Sequence, residues 1–398
     1  MASNKNQHYV PRCYLRAFTE HGDGVRINLF NTDRERVIPL VSARHQCSRA
    51  YFYGSDAELE AAIQLLERSY AEVLRHITQD SYVLTDDDSD LLRKFWLFQY
   101  LRTEAASQRS VKSLNAATDA MGISGAEYRA EIKRAVLHAM RTFVEHMDIM
   151  DDMSTCLVRN DSRAPFITSD DPAILSNRLY LECLPRLGKS FGLRQSGNIM
   201  VLPLTPSILF LGFDRNIYTV RDKKGWCNLK AADDARAYNQ HQMLNCRANL
   251  FFRGNHYGSE IGIEFAKIAD RRPPARHRIS TMIFDRSEGD HNFYRVVEPE
   301  QAREQAEMIV HMEAVYPAPA RWPIHLGVRP KGIVFTNGTG AGYLRSPESR
   351  KGKERAFRRV TLSLFGSPRS GFTFAQQCHS PKPPPDDSLS SHRVLAAK

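Results

Sequence analysis

Near residue 155 the apolar pattern of this chain changes period, and that change constrains its fold more than any other feature. Upstream, apolar residues recur at helical spacing. The string S-D-A-E opening at Ser55 reads as a capping box closed by Glu58, and Leu59, Ile63, Leu66, Tyr70, Val73 and Ile77 then share one helical face. A second helix is expected over Asp88 to Lys112, which has no Gly or Pro and is apolar nearly all round in its first half. A third is expected from a capping box at Ser124 to Glu127 toward Asp151.

Downstream the texture turns to β-branched and aromatic runs broken by Pro, Gly and Asn: CLVRN, APFITSDDPAI, NIMVLPLTPSILFLGF, NLFFR near 249 and TMIFD near 281. Strands of one mixed sheet are expected there, with two further helices near 231–247 and 299–314. Before the helices, VRINLF (25–30) and VIPLV (37–41) flank a turn-like NTDRER and predict a hairpin. The fold class is therefore α+β: an N-terminal hairpin, three long helices, then a mixed β-sheet region with two helices. No fixed-period repeat is visible.

Charge is segregated along the chain. The formal net charge is +10, and residues 321–398 hold 14 Lys and Arg against 4 Asp and Glu, a difference of +10. The first 320 residues then balance, with 55 − 14 = 41 basic and 45 − 4 = 41 acidic side chains. A single body over 1–320 and a basic, mostly disordered tail over 321–398 are expected, because the Gly-, Pro-, Ser- and Arg-rich end offers little apolar surface to bury. Seven scattered cysteines without C-x-x-C spacing fit reduced thiols in a cytoplasmic protein. The N-terminus has no apolar secretion segment, and the longest apolar run, Ile199 to Phe213, is too short to span a bilayer and carries Pro203 and Pro206. No membrane association is expected.

Three strings carry candidate chemistry. In QHYVPRCYLRAF, His8 and Pro11 form H-x-x-P, a fragment shared with histidine-metal nucleases, where a His beside a metal activates water; the same residues equally serve to anchor the N-terminus, with Val10, Leu15 and Phe18 packing inward. In FITSDDPAIL, Asp170 and Asp171 stand at a strand end, where carboxylates can hold a divalent metal or act as a base, or simply form a turn before Pro172. In FWLFQYLRTE, Gln99 and Arg102 share one helical face amid aromatics and need a polar partner, either a ligand phosphate or a structural carboxylate. The later YNQHQMLNCRANLFF (238–252) adds a polar helix face with Asn239, Gln240, His241 and Asn245, which either lines the same cleft or is a solvated face. P-loop, Rossmann, zincin, nucleophile-elbow and kinase motifs are all lacking.

Together QHYVPRCYLRAF, YFYGSDAELE, FITSDDPAIL, VLPLTPSILFL and YNQHQMLN resemble the bacterial family catalogued as domain of unknown function 4238, over roughly residues 6–255. The resemblance implies positions rather than an activity: His8, Pro11, Arg12, Asp170, Pro172 and Asn239 fall where that family's motifs recur. The functional expectation is a polar cleft that binds or hydrolyses a phosphate-bearing substrate. As a hydrolase or nuclease it would use His8 as base, Asp170 or Asp171 as catalytic groups, with Asp170 on a metal, and Arg12, Gln99, Arg102 and Asn239 as substrate ligands. The rival is a non-catalytic interaction protein whose 321–398 tail meets nucleic acid or an acidic partner.

Overall fold

The computed structural model describes residues 6–79, 81–184, 190–289, 291–338, 342–346, 357–364 and 380–381. Its helices are α1 (Arg12–Arg16), α2 (Ala57–Ile77), α3 (Asp86–Arg102), α4 (Glu104–Ala120), α5 (Ile132–Glu145), α6 (Ala232–Asn245), α7 (Gly258–Ala266) and α8 (Pro299–Arg303). The α+β class holds, with the hairpin, the helical middle and the sheet-rich second half in the expected order.

A five-stranded mixed sheet is the spine. Its order is Trp226–Leu229, Ser154–Asn160, Ile208–Phe213, Ile199–Thr205 and Ile174–Ser176, with the first pair parallel and the rest antiparallel. Every residue of Ile199–Thr205 and Ile208–Phe213 is buried, which is why those runs are apolar without alternation. Helix α3 lies against this sheet, and Trp96 Nε1 donates to the Val201 carbonyl at 3.3 Å. Trp96 and Phe95 are fully buried, each contributing about 1.5–3 kcal/mol of burial free energy. The short α1 is pinned to the same sheet by Tyr14, whose hydroxyl donates to the Pro203 carbonyl at 2.6 Å.

The later apolar runs do not share this sheet. Asn249–Phe252 joins the N-terminal hairpin (Arg26–Asn31 with Arg36–Ser42) and Thr168–Ser169 in a four-stranded sheet. A second apolar core, including Phe30, Leu250, Phe252 and Phe265, sits between that sheet, α6 and α7. His277–Glu288 pairs with His291–Val297 and Ile309–Ala314 in a third sheet.

Local expectations fail where side chains, rather than periodicity, set the boundary. The expected second helix is broken at Thr103, which has extended backbone (φ −68°, ψ 157°), caps α4 by accepting from Ala106 N–H at 3.1 Å, and is invisible to a Gly/Pro search. The Ser124–Glu127 string is no capping box: Gly125 has φ +133°, a short 3₁₀ turn follows, and α5 starts only at Ile132. The 299–314 segment is a single helical turn followed by a strand.

The boundary at 320 also needs correction. Leu326–Val328 pairs with Tyr218–Val220, Lys331–Thr336 pairs with Arg358–Ser363, and Leu326 and Val334 are fully buried in the main core. Arg345 is buried and bound to Asp152, with Nη2–Oδ1 at 3.0 Å, and to the Ile149 carbonyl at 2.9 Å. Most of the remaining expected tail (347–356, 365–379 and 382–398) lies outside the described residues. No described helix is long and apolar enough to cross a membrane.

Candidate functional site

The break at Thr103 decides what the predicted site residues can reach. Directly before it, Arg102 is fully buried: its Nη2 donates to Glu67 Oε1 at 2.8 Å and to the His8 carbonyl at 2.5 Å, and its guanidinium lies 4.4 Å from the Phe98 ring centre. A ligand from solvent cannot meet it. Directly after it, the Thr103 hydroxyl donates to Asp171 Oδ1 at 2.6 Å, and Arg109, in the second turn of α4, forms an ion pair with Asp171 Oδ2. Gln99 is fully buried, and neither of its amide atoms finds a partner among the described residues.

Asp170 is a clasp rather than a metal ligand. Its oxygens accept the main-chain N–H groups of Arg247, Ala248 and Asn249 at 2.8–2.9 Å, tying the strand end to the exit of α6. Burial pushes its carboxyl up to about 6, against the pull of those three donors. Among the described residues no three His, Cys, Asp or Glu side chains are grouped so as to hold a metal ion, so the donor set does not fit the expected divalent cation.

His8 is half-buried with Nε2 3.0 Å from the Arg44 carbonyl. Burial, and to a smaller extent the nearby Arg12, Arg102 and Arg44, lower it to about 4, so the ring is neutral at physiological pH. His8 and the exposed Arg12 line a cavity of about 350 Å³ against α2, whereas Asp171 lines a different cavity. The expected convergence of His8 with the two aspartates in one cleft is therefore not found. Asn239 is also structural: Oδ1 accepts Ile167 N–H at 3.0 Å and Nδ2 donates to the Pro165 carbonyl at 2.9 Å. Most of the polar face of α6 is buried and bonded in the same way: the Gln240 amide accepts Ala320 N–H at 2.8 Å and Gln242 Nε2 donates to the Pro172 carbonyl at 2.8 Å.

What the structure does bring together is a basic cleft between α4, the end of α6 and the third sheet. One cavity of about 320 Å³ is lined by Tyr100, Arg109, Asp171, Asn245, Arg276 and Tyr316 among others. A second, of about 240 Å³, shares Arg109, Asn245, Arg276 and His277 with it and adds Lys112, Arg247 and Arg272. Arg276 stands just before the strand His277–Glu288. Its Nε donates to the Val315 carbonyl at 2.9 Å and its Nη2 to Asn245 Oδ1 at 2.8 Å. Both partners are neutral, and among the described residues no carboxylate lies within ion-pair distance. Desolvation, reinforced by the nearby Arg109, lowers Arg276 to about 10, which leaves it cationic at neutral pH. Tyr100 and Tyr316 join their hydroxyls at 3.1 Å on the cavity wall.

A family described as "Protein of unknown function (DUF4238)" matches residues 6–256. The chain belongs to that family. No curated protein and no solved structure matches the chain. The DUF4238 match spans His8, Asp170, Asn239 and the Arg109 and Asn245 side of the cleft, while Arg272 and Arg276 lie beyond its last residue. Sequence reasoning missed Arg276 because it sits in RRPPARHR (271–278), a basic run just past the family's motifs. Four arginines in eight residues, interrupted by two prolines, were the available signal.

Proposed function

We propose that this protein binds a phosphate-bearing small molecule in the cleft between Arg109 and Arg276. The observation that carries the reading is Arg276 itself: a half-buried guanidinium on a cavity wall, held in place by two neutral acceptors, with no carboxylate within ion-pair distance among the described residues and with the nearby Asp171 already paired to Arg109. Keeping a cation partly desolvated without a carboxylate is costly, and an anionic ligand removes the cost by charge-assisted hydrogen bonds to the N–H groups that Val315 and Asn245 leave unused. Arg109 supplies a second guanidinium whose orientation is fixed by Asp171. The cavity, at about 320 Å³, lies within the range that small-molecule sites occupy.

Binding, rather than hydrolysis at His8 and Asp170, is the reading this geometry favours, since Asp170 is consumed by main-chain donors. The rival attachment of nucleic acid through the basic end has less support. Arg345 is buried on Asp152, Arg329 donates to the Arg215 carbonyl at 2.8 Å, and Arg321 pairs with Asp233 at 3.1 Å, so these cations serve the fold.

The test is thermal unfolding with matched ligand pairs: adenosine monophosphate against adenosine, and phenyl phosphate against phenol. Phosphate-bearing members should raise the midpoint in a concentration-dependent way and neutral members should not. Equal shifts within each pair, or none, would sink the reading.

A further inference from the structure

The second, 240 Å³ arm of the cleft is unusual in its charge. It is lined by five cationic side chains, Arg109, Lys112, Arg247, Arg272 and Arg276, and by no Asp or Glu, in a body whose first 320 residues carry equal numbers of acids and bases. Lys112 and Arg247 are exposed, and among the described residues neither they nor Arg272 has a carboxylate within ion-pair distance. Arg272 is oriented by donating to the Cys246 and Arg247 carbonyls at 2.8 and 3.1 Å. Concentrating like charges this way is unfavourable unless an anion of comparable charge sits among them.

The first arm differs in kind. Its lining includes two carboxylates, Asp171 paired with Arg109 and Glu313 bonded to Arg278, while Ile174, Leu175, Met312, Val315 and the Tyr316 ring give it an apolar wall against which an uncharged organic group can lie. Tyr316 is held by stacking on Phe191 with ring centres 4.0 Å apart, which fixes that wall. Arg109 and Arg276 line both arms and so mark where the two halves of a ligand would join.

We infer that the ligand is an organic di- or triphosphate of the nucleotide class. Its organic part lies against Tyr316 and Met312, its first phosphate between Arg109 and Arg276, and its phosphate chain runs toward Lys112, Arg247 and Arg272. This inference rests on the phosphate-binding reading above and adds the length of the phosphate chain and its direction. No bond is made or broken in it; the recognition is charge-assisted hydrogen bonding by guanidinium and ammonium groups.

The experiment is calorimetric titration of the full chain, in the presence of a chelator, with adenosine triphosphate, adenosine monophosphate and inorganic tripolyphosphate. It is repeated on the double variant Lys112→Gln/Arg247→Gln, whose two side chains are exposed. The triphosphate should bind at least about tenfold more tightly than the monophosphate, the size of one added charge-assisted contact. That advantage should collapse in the double variant while monophosphate affinity stays within about twofold. Tripolyphosphate should bind more weakly than adenosine triphosphate.

If the monophosphate binds and the triphosphate gains nothing, the extended arm is wrong while the phosphate-binding reading stands. A triphosphate advantage that survives the double variant places the chain elsewhere and overturns the inference. Tripolyphosphate equal to adenosine triphosphate removes the organic half of the site. Binding by none of the three defeats both readings together.

Discussion

The carboxylate of Asp170 accepts the main-chain N–H of Ala248 at 2.9 Å, joining the end of a buried strand to a turn far along the chain. Together with the bonds from Arg247 and Asn249 it closes both oxygens on main chain, so the Ser-Asp-Asp-Pro string serves the fold at its first aspartate and the cleft only at its second. Asp170→Ala leaves three N–H groups without their acceptor and should cost about 3 kcal/mol or more. Chemical denaturation of the variant measures this, and a stability within about 0.5 kcal/mol of the parent would show that the clasp is not structural.

Arg102 should behave likewise. Removing it strands Glu67 and the His8 carbonyl and opens space beside Phe98, so Arg102→Ala should lose about 3–5 kcal/mol, as expected for breaking a buried ion pair. The affinity of the molecules that remain folded for a phosphate monoester should not change. A selective loss of affinity with full stability would return Arg102 to the binding site.

Acid should destabilise the fold through its histidines. Burial lowers His241 to about 4, below the usual value of about 6.5 for an unfolded chain, so the folded state binds fewer protons across that window. Its contribution is complete above about pH 6.5 and is lost as pH falls toward 4, by about 3 kcal/mol at full extent. His8, lowered for the same dominant reason, acts in the same direction. Unfolding midpoints measured between pH 7 and 4.5 should fall steeply for the parent protein and less steeply for His241→Gln. Identical slopes would contradict the assignment.

Deletion of residues 321–398 should unfold or strongly weaken the protein. It removes the buried Leu326 and Val334, each contributing about 1.5–3 kcal/mol, together with the Arg345–Asp152 contact. A truncated chain as stable as the full one would restore the earlier picture of an unpacked tail from 321.

The architecture was legible where periodicity speaks for itself. The α2 stripe of Ile63, Tyr70, Val73 and Ile77 is buried as spaced, and the continuous apolar runs at 199–213 are the central strands. It was not legible where one side chain overrides a pattern: Thr103 stops a helix that propensity would continue, because its hydroxyl serves both α4 and Asp171. The site residues were picked as polar groups inside apolar strings, and such groups are mostly tied into the core: Asp170 and Asn239 are bonded to main chain, and Arg102 is paired through Nη2 while its Nε and Nη1, like the Gln99 amide, have no partner among the described residues. The cleft depends instead on Arg109, Asn245 and Arg276, each on a different segment, and no single string announces a pocket assembled from three.

The most direct measurement is the affinity of adenosine monophosphate for the parent chain and for Arg276→Gln, determined by calorimetry in one buffer at fixed salt. The two Arg276 bonds to Val315 and Asn245 are to neutral acceptors, so replacing the cation should leave the unfolding midpoint within a few degrees of the parent. Affinity should fall at least about tenfold, the loss of one charge-assisted contact. Unchanged affinity in a folded Arg276→Gln protein would contradict the account, because the one partly buried cation on which it rests would then have no part in binding.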